Sequence, residues 1–176
     1  MIPSSVLNLV HQLAGTIGKM YLLCSLNAST LSDNNRPLPE CSLPELLFTD
    51  LAEFSLHISA ADGEISDNEI ECFKRLFSLK WSREKIMQFC EDGGNSYQTP
   101  KILEFFSAAD RIEEETTGSI DVCSCELLFN CFKGIGSLFV LCDGTPSLSK
   151  QNALTISLLS LKTSINEVFP ELQLEV

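Results

Sequence analysis

The chain has 176 residues and a net charge of −12, and 44% of its residues are hydrophobic. This length and composition are typical of one globular domain and exclude an intrinsically disordered chain. The 12 Lys and Arg residues are scattered without a basic run, so we do not expect nucleic acid as a partner, because phosphates are bound by clustered cations.

The N-terminal segment, residues 1–26, has apolar residues at helical spacing behind Ser4 or Ser5. This pattern predicts an amphipathic helix that runs to about Cys24. No basic residue precedes the apolar run, and polar residues interrupt it. We therefore predict neither an export signal nor an integral membrane segment, and we expect a cytoplasmic protein.

Residues 27–43 are polar and contain prolines, which predicts a loop or linker before the main helical region at 44–168. Alternation with period two is absent, so the sequence predicts an all-α, single-domain bundle of about seven helices with a C-terminal tail at 169–176. After the first helix, the sequence predicts six more. The second runs from the capping box Ser42–Glu45 to Ala61, and the third starts at a second capping box, Ser66–Glu69, with an inward face that reaches Phe77. The others run from Ser82 to Glu91 with a stop at Gly93-Gly94, from Thr99-Pro100 to the acidic run 113–115, from Asp121 to Cys142, and from Ser147 or Ser149 to about Glu167.

The eight cysteines do not form a pattern that requires disulfides. Because no export signal precedes them and most lie at apolar positions of the helical repeat, we interpret them as free thiols in the core. Only Cys123 and Cys125 are closely spaced, and they have no second Cys pair or His motif. A zinc site there is the less favoured alternative.

The stretch SAADGEISDNEIECF, residues 59–73, resembles the second half of an EF-hand calcium loop. In that alignment Asp62 and Glu69 fill loop positions 5 and 12, but Ile58 and Ala60 at positions 1 and 3 offer no side-chain oxygen. A self-contained EF-hand is therefore excluded.

The same helix, Asp-Gly, cap, helix pattern occurs twice in the chain. LHISAADGEIS and LFVLCDGTPSLS align through Asp62-Gly63 and Asp143-Gly144. Such internal similarity predicts two related halves packed into one bundle.

Residues 44–168 resemble the TerB-like domains of tellurite-resistance TerB and of the amino-terminal region of DjlA-type co-chaperones. The resemblance implies an all-helical fold with two pseudo-symmetric halves, whose Asp-Gly turns place acidic side chains on one face and can bind a divalent cation. In the second half the spacing after the turn is longer, and Lys150 stands where an acidic residue is expected. The residues that carry the match are Ala61, Asp62, Gly63, Glu64, Ile65, Ser66 and Glu69 in the first half and Asp143 and Gly144 in the second.

Two interpretations of these turns stay open. In the first, Asp62, Glu69 and Asp143 form a shared, weak metal site for calcium, magnesium or manganese, completed by carbonyls and water. In the second, the aspartates brace the turns, the glycines adopt the left-handed conformation, and Glu69 only closes a capping box.

Three functions follow from these observations. The first is a non-enzymatic TerB-like domain that binds a protein partner, with a divalent cation at the turns. Its setting in a bacterial stress-response or membrane-proximal complex is what the resemblance implies. The second is an acidic adaptor, immunity protein or chaperone that binds a basic or apolar partner without metal. The third, a hydrolase with a carboxylate-bound metal, needs more ligands than the sequence offers.

Overall fold

The computed structural model describes residues 2–92, 99–120 and 122–176. Within these ranges the protein has seven helices and no strand, which confirms the predicted all-α bundle of about seven helices. The helices are α1 (Ser4–Asp33), α2 (Leu43–Ala60), α3 (Asp67–Leu76), α4 (Arg83–Asp92), α5 (Ile102–Thr117), α6 (Ser124–Leu141) and α7 (Leu148–Asn166).

Helix α6 lies at the centre of the bundle and packs against α1, α2, α5 and α7. The rings of Phe54 on α2 and Phe132 on α6 meet edge to face, with 4.9 Å between their centroids. Within the described residues α6 is the one helix long and apolar enough to cross a membrane, and 61% of it is buried. This burial is typical of the core helix of a globular bundle.

Helix α1 is longer than predicted. It continues to Asp33, so the predicted end near Cys24 and the predicted loop from residue 27 are wrong, and the connection to α2 is shorter. The sequence obscured this because Asn27 occupies a buried position on the apolar face, where its amide donates a 3.1 Å hydrogen bond to Ser124 Oγ. The helix stops where Asn35 adopts a left-handed φ of 55°.

Both predicted capping boxes are present. The hydroxyls of Ser42 and Ser66 accept hydrogen bonds from the backbone N–H of Glu45 and Glu69, and each glutamate accepts one in return from its serine's N–H. These boxes fix where α2 and α3 begin.

The other helix boundaries within the described residues follow the sequence closely. The predicted stop at Gly93-Gly94 and the predicted start at Asp121 lie outside the described residues. The C-terminal tail packs on the bundle, since Phe169 and Leu174 are buried. All eight cysteines are free thiols, and five of them are buried in the core: Cys24, Cys72, Cys125, Cys131 and Cys142.

Two buried aspartates each accept hydrogen bonds from backbone N–H groups at the start of another helix. Asp50 on α2 accepts a 2.7 Å hydrogen bond from the N–H of Ile102 at the start of α5. Asp110 on α5 accepts hydrogen bonds of 3.0 Å from the N–H groups of Ser124 and Cys125 at the start of α6. Asp110 precedes the acidic run 113–115 by three residues, but its side chain is buried.

Candidate functional site

The two Asp-Gly turns have the same local geometry. Gly63 and Gly144 have φ of 105° and 85°, a region that favours glycine. Their N–H groups donate to the carbonyls three residues earlier, Ala60 and Leu141, at 3.0 and 2.9 Å. The two related turns predicted from the sequence therefore share their conformation.

The caps that follow the turns are equivalent as well. Ser66 and Ser147 each lie four residues after the turn aspartate and cap the next helix through the N–H three residues further on. The longer spacing expected in the second half is therefore wrong. This correspondence makes Lys150 the structural counterpart of Glu69.

The structure brings Asp62, Glu69 and Asp143 together, and it places the ammonium of Lys150 among them. The Lys150 Nζ lies 2.8 Å from Glu69 Oε1, 3.1 Å from Asp62 Oδ2 and 3.2 Å from Asp143 Oδ2. The Lys150 side chain is only 4% exposed and that of Glu69 is fully buried, whereas Asp62 and Asp143 keep 30% exposure each. We call these four residues the ammonium site.

Hydrogen bonds from Ser66 complete the ammonium site. The Ser66 hydroxyl donates to Asp143 Oδ1 at 2.7 Å, and its N–H donates to Glu69 Oε2 at 2.7 Å. Among the described residues, the buried Glu69 Oε1 has no hydrogen-bond partner of regular geometry, and it forms its ion pair with the Lys150 ammonium. Side chains from both turns are thus joined by charge-assisted hydrogen bonds, which are stronger than neutral ones.

The protonation of Lys150 is favoured by its surroundings. Burial by itself lowers the pKa of a lysine, but the hydrogen bonds from Lys150 to Glu69 and Asp62, with the nearby charges, raise its pKa above the ordinary value. Burial raises the pKa of Glu69, and its contacts with Lys150 and Ser66 act in the opposite direction. A lysine held protonated in this way cannot act as a general base or a nucleophile.

The residues of the ammonium site do not fit the divalent cation implied by the family resemblance. Calcium requires six to eight oxygen ligands at about 2.3–2.6 Å, and magnesium requires a still closer octahedron. The oxygens of Asp62, Glu69 and Asp143 that point inwards are already bound to the Lys150 ammonium. A divalent ion at the same place would lie against a positive charge.

Cys142 does not change this conclusion. Its sulfur lies near Glu69 and Asp143, and these three residues are the group of potential metal ligands found within the described residues. A metal-binding cysteine must lose its proton. The Cys142 thiol instead donates to the carbonyl of Phe139 at 3.3 Å, and its pKa is raised by its hydrogen bond with Cys72 and by burial.

Sequence reasoning found the carboxylates and missed the lysine between them. Lys150 was interpreted as a departure from the acidic pattern of the first half, and its contacts with Asp62 and Glu69 were not predicted. The available signal was its position: Lys150 follows Asp143 by seven residues, as Glu69 follows Asp62. If the two turns meet, these equivalent positions of opposite charge can pair.

Comparisons of this chain with protein-family models, with curated proteins and with solved structures find no match. The TerB-like resemblance therefore depends on the residues of the two turns.

Proposed function

We propose that this chain is a non-enzymatic, cytoplasmic helical domain of the TerB-like type that works by binding another protein and needs no divalent cation. The carrying observation is the Lys150 ammonium, which lies within 3.2 Å of three carboxylates. It fills the one place where the turns would otherwise offer a cation site. The resemblance suggests a bacterial stress-response or membrane-proximal complex as the setting.

The ammonium site supports a structural role for the turns. Lys150 and Glu69 lie in the first turns of α7 and α3. Asp62 follows the end of α2, and Asp143 follows the end of α6. One internal cation thus links the ends of four helices and can substitute for a bound ion. This observation favours the metal-free adaptor, immunity-protein or chaperone function over the cation-dependent one.

Thermal melting with and without millimolar calcium, magnesium or manganese tests the cation independence. A ligand that binds only the folded state raises the melting temperature by mass action. We expect no rise for the natural chain in any of the three ions. Lys150→Glu, which replaces the ammonium with a fourth carboxylate, should gain a cation-dependent rise.

The exposed Lys80 provides a matched control, because Lys80→Glu makes the same change of charge away from the turns. This variant should show no response to the ions. A rise in the natural chain that Asp62→Asn removes would contradict the proposal and support a metal site.

The binding role is tested by affinity capture from a lysate of the source organism, washed in parallel with calcium and with a chelator. A stoichiometric protein partner retained equally in both washes supports the proposal. Persistent monomeric behaviour with no captured protein would overturn it.

A further inference from the structure

A groove follows the outer side of α5 and extends to the C-terminal end of α7. Its volume is about 600 Å³, and its walls include Arg36 from the connection after α1 and Val168 beyond α7. Thr99 and Ser164 approach each other across one end, with 3.5 Å between their hydroxyl oxygens. We call it the α5 groove.

The charge of the α5 groove differs from that of the whole chain. It is lined by Arg36, Lys101 and Arg111, against Glu104 and Glu115, in a protein whose net charge is −12. All three basic residues are exposed. None of them belongs to an ion pair within the described part of the chain. These cations are therefore available to an outside partner.

Apolar side chains form part of the walls between the charges. Leu103 and Ile112 are more than nine-tenths buried and contribute to the groove, together with Ala108 and Val168. Apolar side chains flanked by charged ones can contact the apolar face and the charged residues of an amphipathic helix at the same time.

The arrangement of charges indicates the kind of ligand. Lys101 is the N-cap residue of α5, and Arg111 lies ten residues further on, which corresponds to about 15 Å at 1.5 Å per residue. A small molecule with a single carboxylate would reach a cation at one end only, and Glu104 lies between the two. A peptide can carry acidic groups at both ends with apolar residues between them.

We propose that the α5 groove binds a short amphipathic segment of a partner protein, with acidic residues about three helical turns apart that face Lys101 and Arg111. This inference rests on the proposed protein-binding function and specifies the chemistry of the partner. It differs from the basic partner that the overall acidity of the chain suggests, because the local charge of the groove is opposite to the global one.

Selection from a phage-displayed library of random 12-residue peptides tests the inference, followed by anisotropy titration of a fluorescein-labelled selected peptide. We expect enriched peptides that combine apolar residues with two separated acidic ones. Their Kd should increase at least about tenfold for Lys101→Glu combined with Arg111→Glu, since two attractive contacts become repulsive. Lys19→Glu combined with Lys80→Glu, at exposed positions outside the groove, should leave the Kd within about twofold.

Three results would overturn the inference: no enrichment, enriched peptides without acidic residues, or peptides that bind the groove variant as tightly as the natural chain. Self-association of the natural chain that the groove variant abolishes would identify a second copy as the occupant, and it too would overturn the inference. If the groove variant still retained a captured partner, binding in the α5 groove would be contradicted, and the proposed protein-binding function would stand. Absence of any captured partner would disprove the function itself.

Discussion

At the residue scale, burial changes the pKa of Asp50, a side chain that also accepts a hydrogen bond from the start of α5. Its side chain is 5% exposed, and burial raises its pKa from the ordinary 3.8 to about 6, against the opposing effect of the hydrogen bonds from Ile102 and Lys101. Nearby Glu53 raises and Lys101 lowers this pKa. The folded protein therefore holds a proton here that the unfolded chain releases between about pH 4 and 6.

The protonation of Asp50 makes the free energy of unfolding depend on pH. Because the folded state binds more protons than the unfolded state in this window, the contribution of Asp50 to the free energy of unfolding falls as the pH rises through it. Asp50→Asn removes this titration and keeps an acceptor for Ile102. We predict that the free energy of unfolding of the variant, relative to the natural chain, increases by about 2 to 3 kcal/mol from pH 4 to pH 7.

Urea unfolding of both proteins at several pH values measures this difference. Other groups with raised pKa values, such as Glu69, occur in both proteins and cancel in the comparison. The same substitution at the exposed Asp33, Asp33→Asn, is the matched control. If the difference in free energy of unfolding between Asp50→Asn and the natural chain did not change with pH, the pKa of Asp50 would be the same in the folded and unfolded states. That result would contradict the prediction.

Individual residues were predictable from the sequence where their role is local. Asp62, Glu69 and Asp143 stood out because Asp-Gly turns and capping boxes have short, recognisable patterns. The role of Lys150 was hidden, because it depends on a contact with Glu69 from the other half of the chain. Asp50 was hidden for the same reason, since it stabilises a helix that begins far along the sequence.

At the scale of the element, the start of α6 depends on a side chain from another helix. The Asp110 side chain is 1% exposed and accepts the N–H groups of Ser124 and Cys125, and the Cys123 thiol donates to it at 3.4 Å. Helix α6 has no side-chain cap of its own. A carboxylate at this position satisfies backbone donors that the helix itself leaves unpaired.

We predict that Asp110→Asn lowers the free energy of unfolding by about 2 to 3 kcal/mol. The amide has one acceptor oxygen, so at least one buried N–H of α6 loses its partner, and the charge that favours the helix N-terminus disappears. Chemical denaturation measures the loss. Glu114→Gln, an exposed position on the same helix, should change the stability by less than about 0.5 kcal/mol. Equal small effects for both variants would contradict the role of Asp110.

Helix boundaries could be predicted where the cap is local and failed where the helix is stabilised by tertiary contacts. Ser42 and Ser66 marked the starts of α2 and α3 correctly. The end of α1 was missed because Asn27 was interpreted as the start of a polar loop, while its partner Ser124 lies 97 residues away. A buried polar residue within a helix can be identified only when its hydrogen-bond partner is known.

At the scale of the whole molecule, α1 belongs to the same core as the rest of the bundle. It packs against α2, α3, α5 and α6. The resemblance that suggested the fold covers only residues 44–168, so it did not place α1 against α5 and α6. The buried residues of α1 are Val6, Val10, Leu13, Ile17, Met20, Cys24, Asn27 and Leu31.

We predict that a chain of residues 34–176 does not fold cooperatively. Burial of one large aliphatic side chain contributes about 1.5 to 3 kcal/mol, so the apolar residues that α1 buries contribute as much as the whole stability of a typical domain, about 5 to 15 kcal/mol. Without α1, the apolar faces of α5 and α6 would contact water. Circular dichroism during heating should show a broad transition, and the truncated chain should bind a hydrophobic dye such as ANS.

The control keeps α1 and changes only its exposed face. Leu22→Ser combined with Leu26→Ser, at α1 positions that are 69% and 65% exposed, should keep the cooperative transition of the full chain. A sharp transition for residues 34–176 would show that the ammonium site and α6 hold together without α1, and that α1 is an accessory to the bundle.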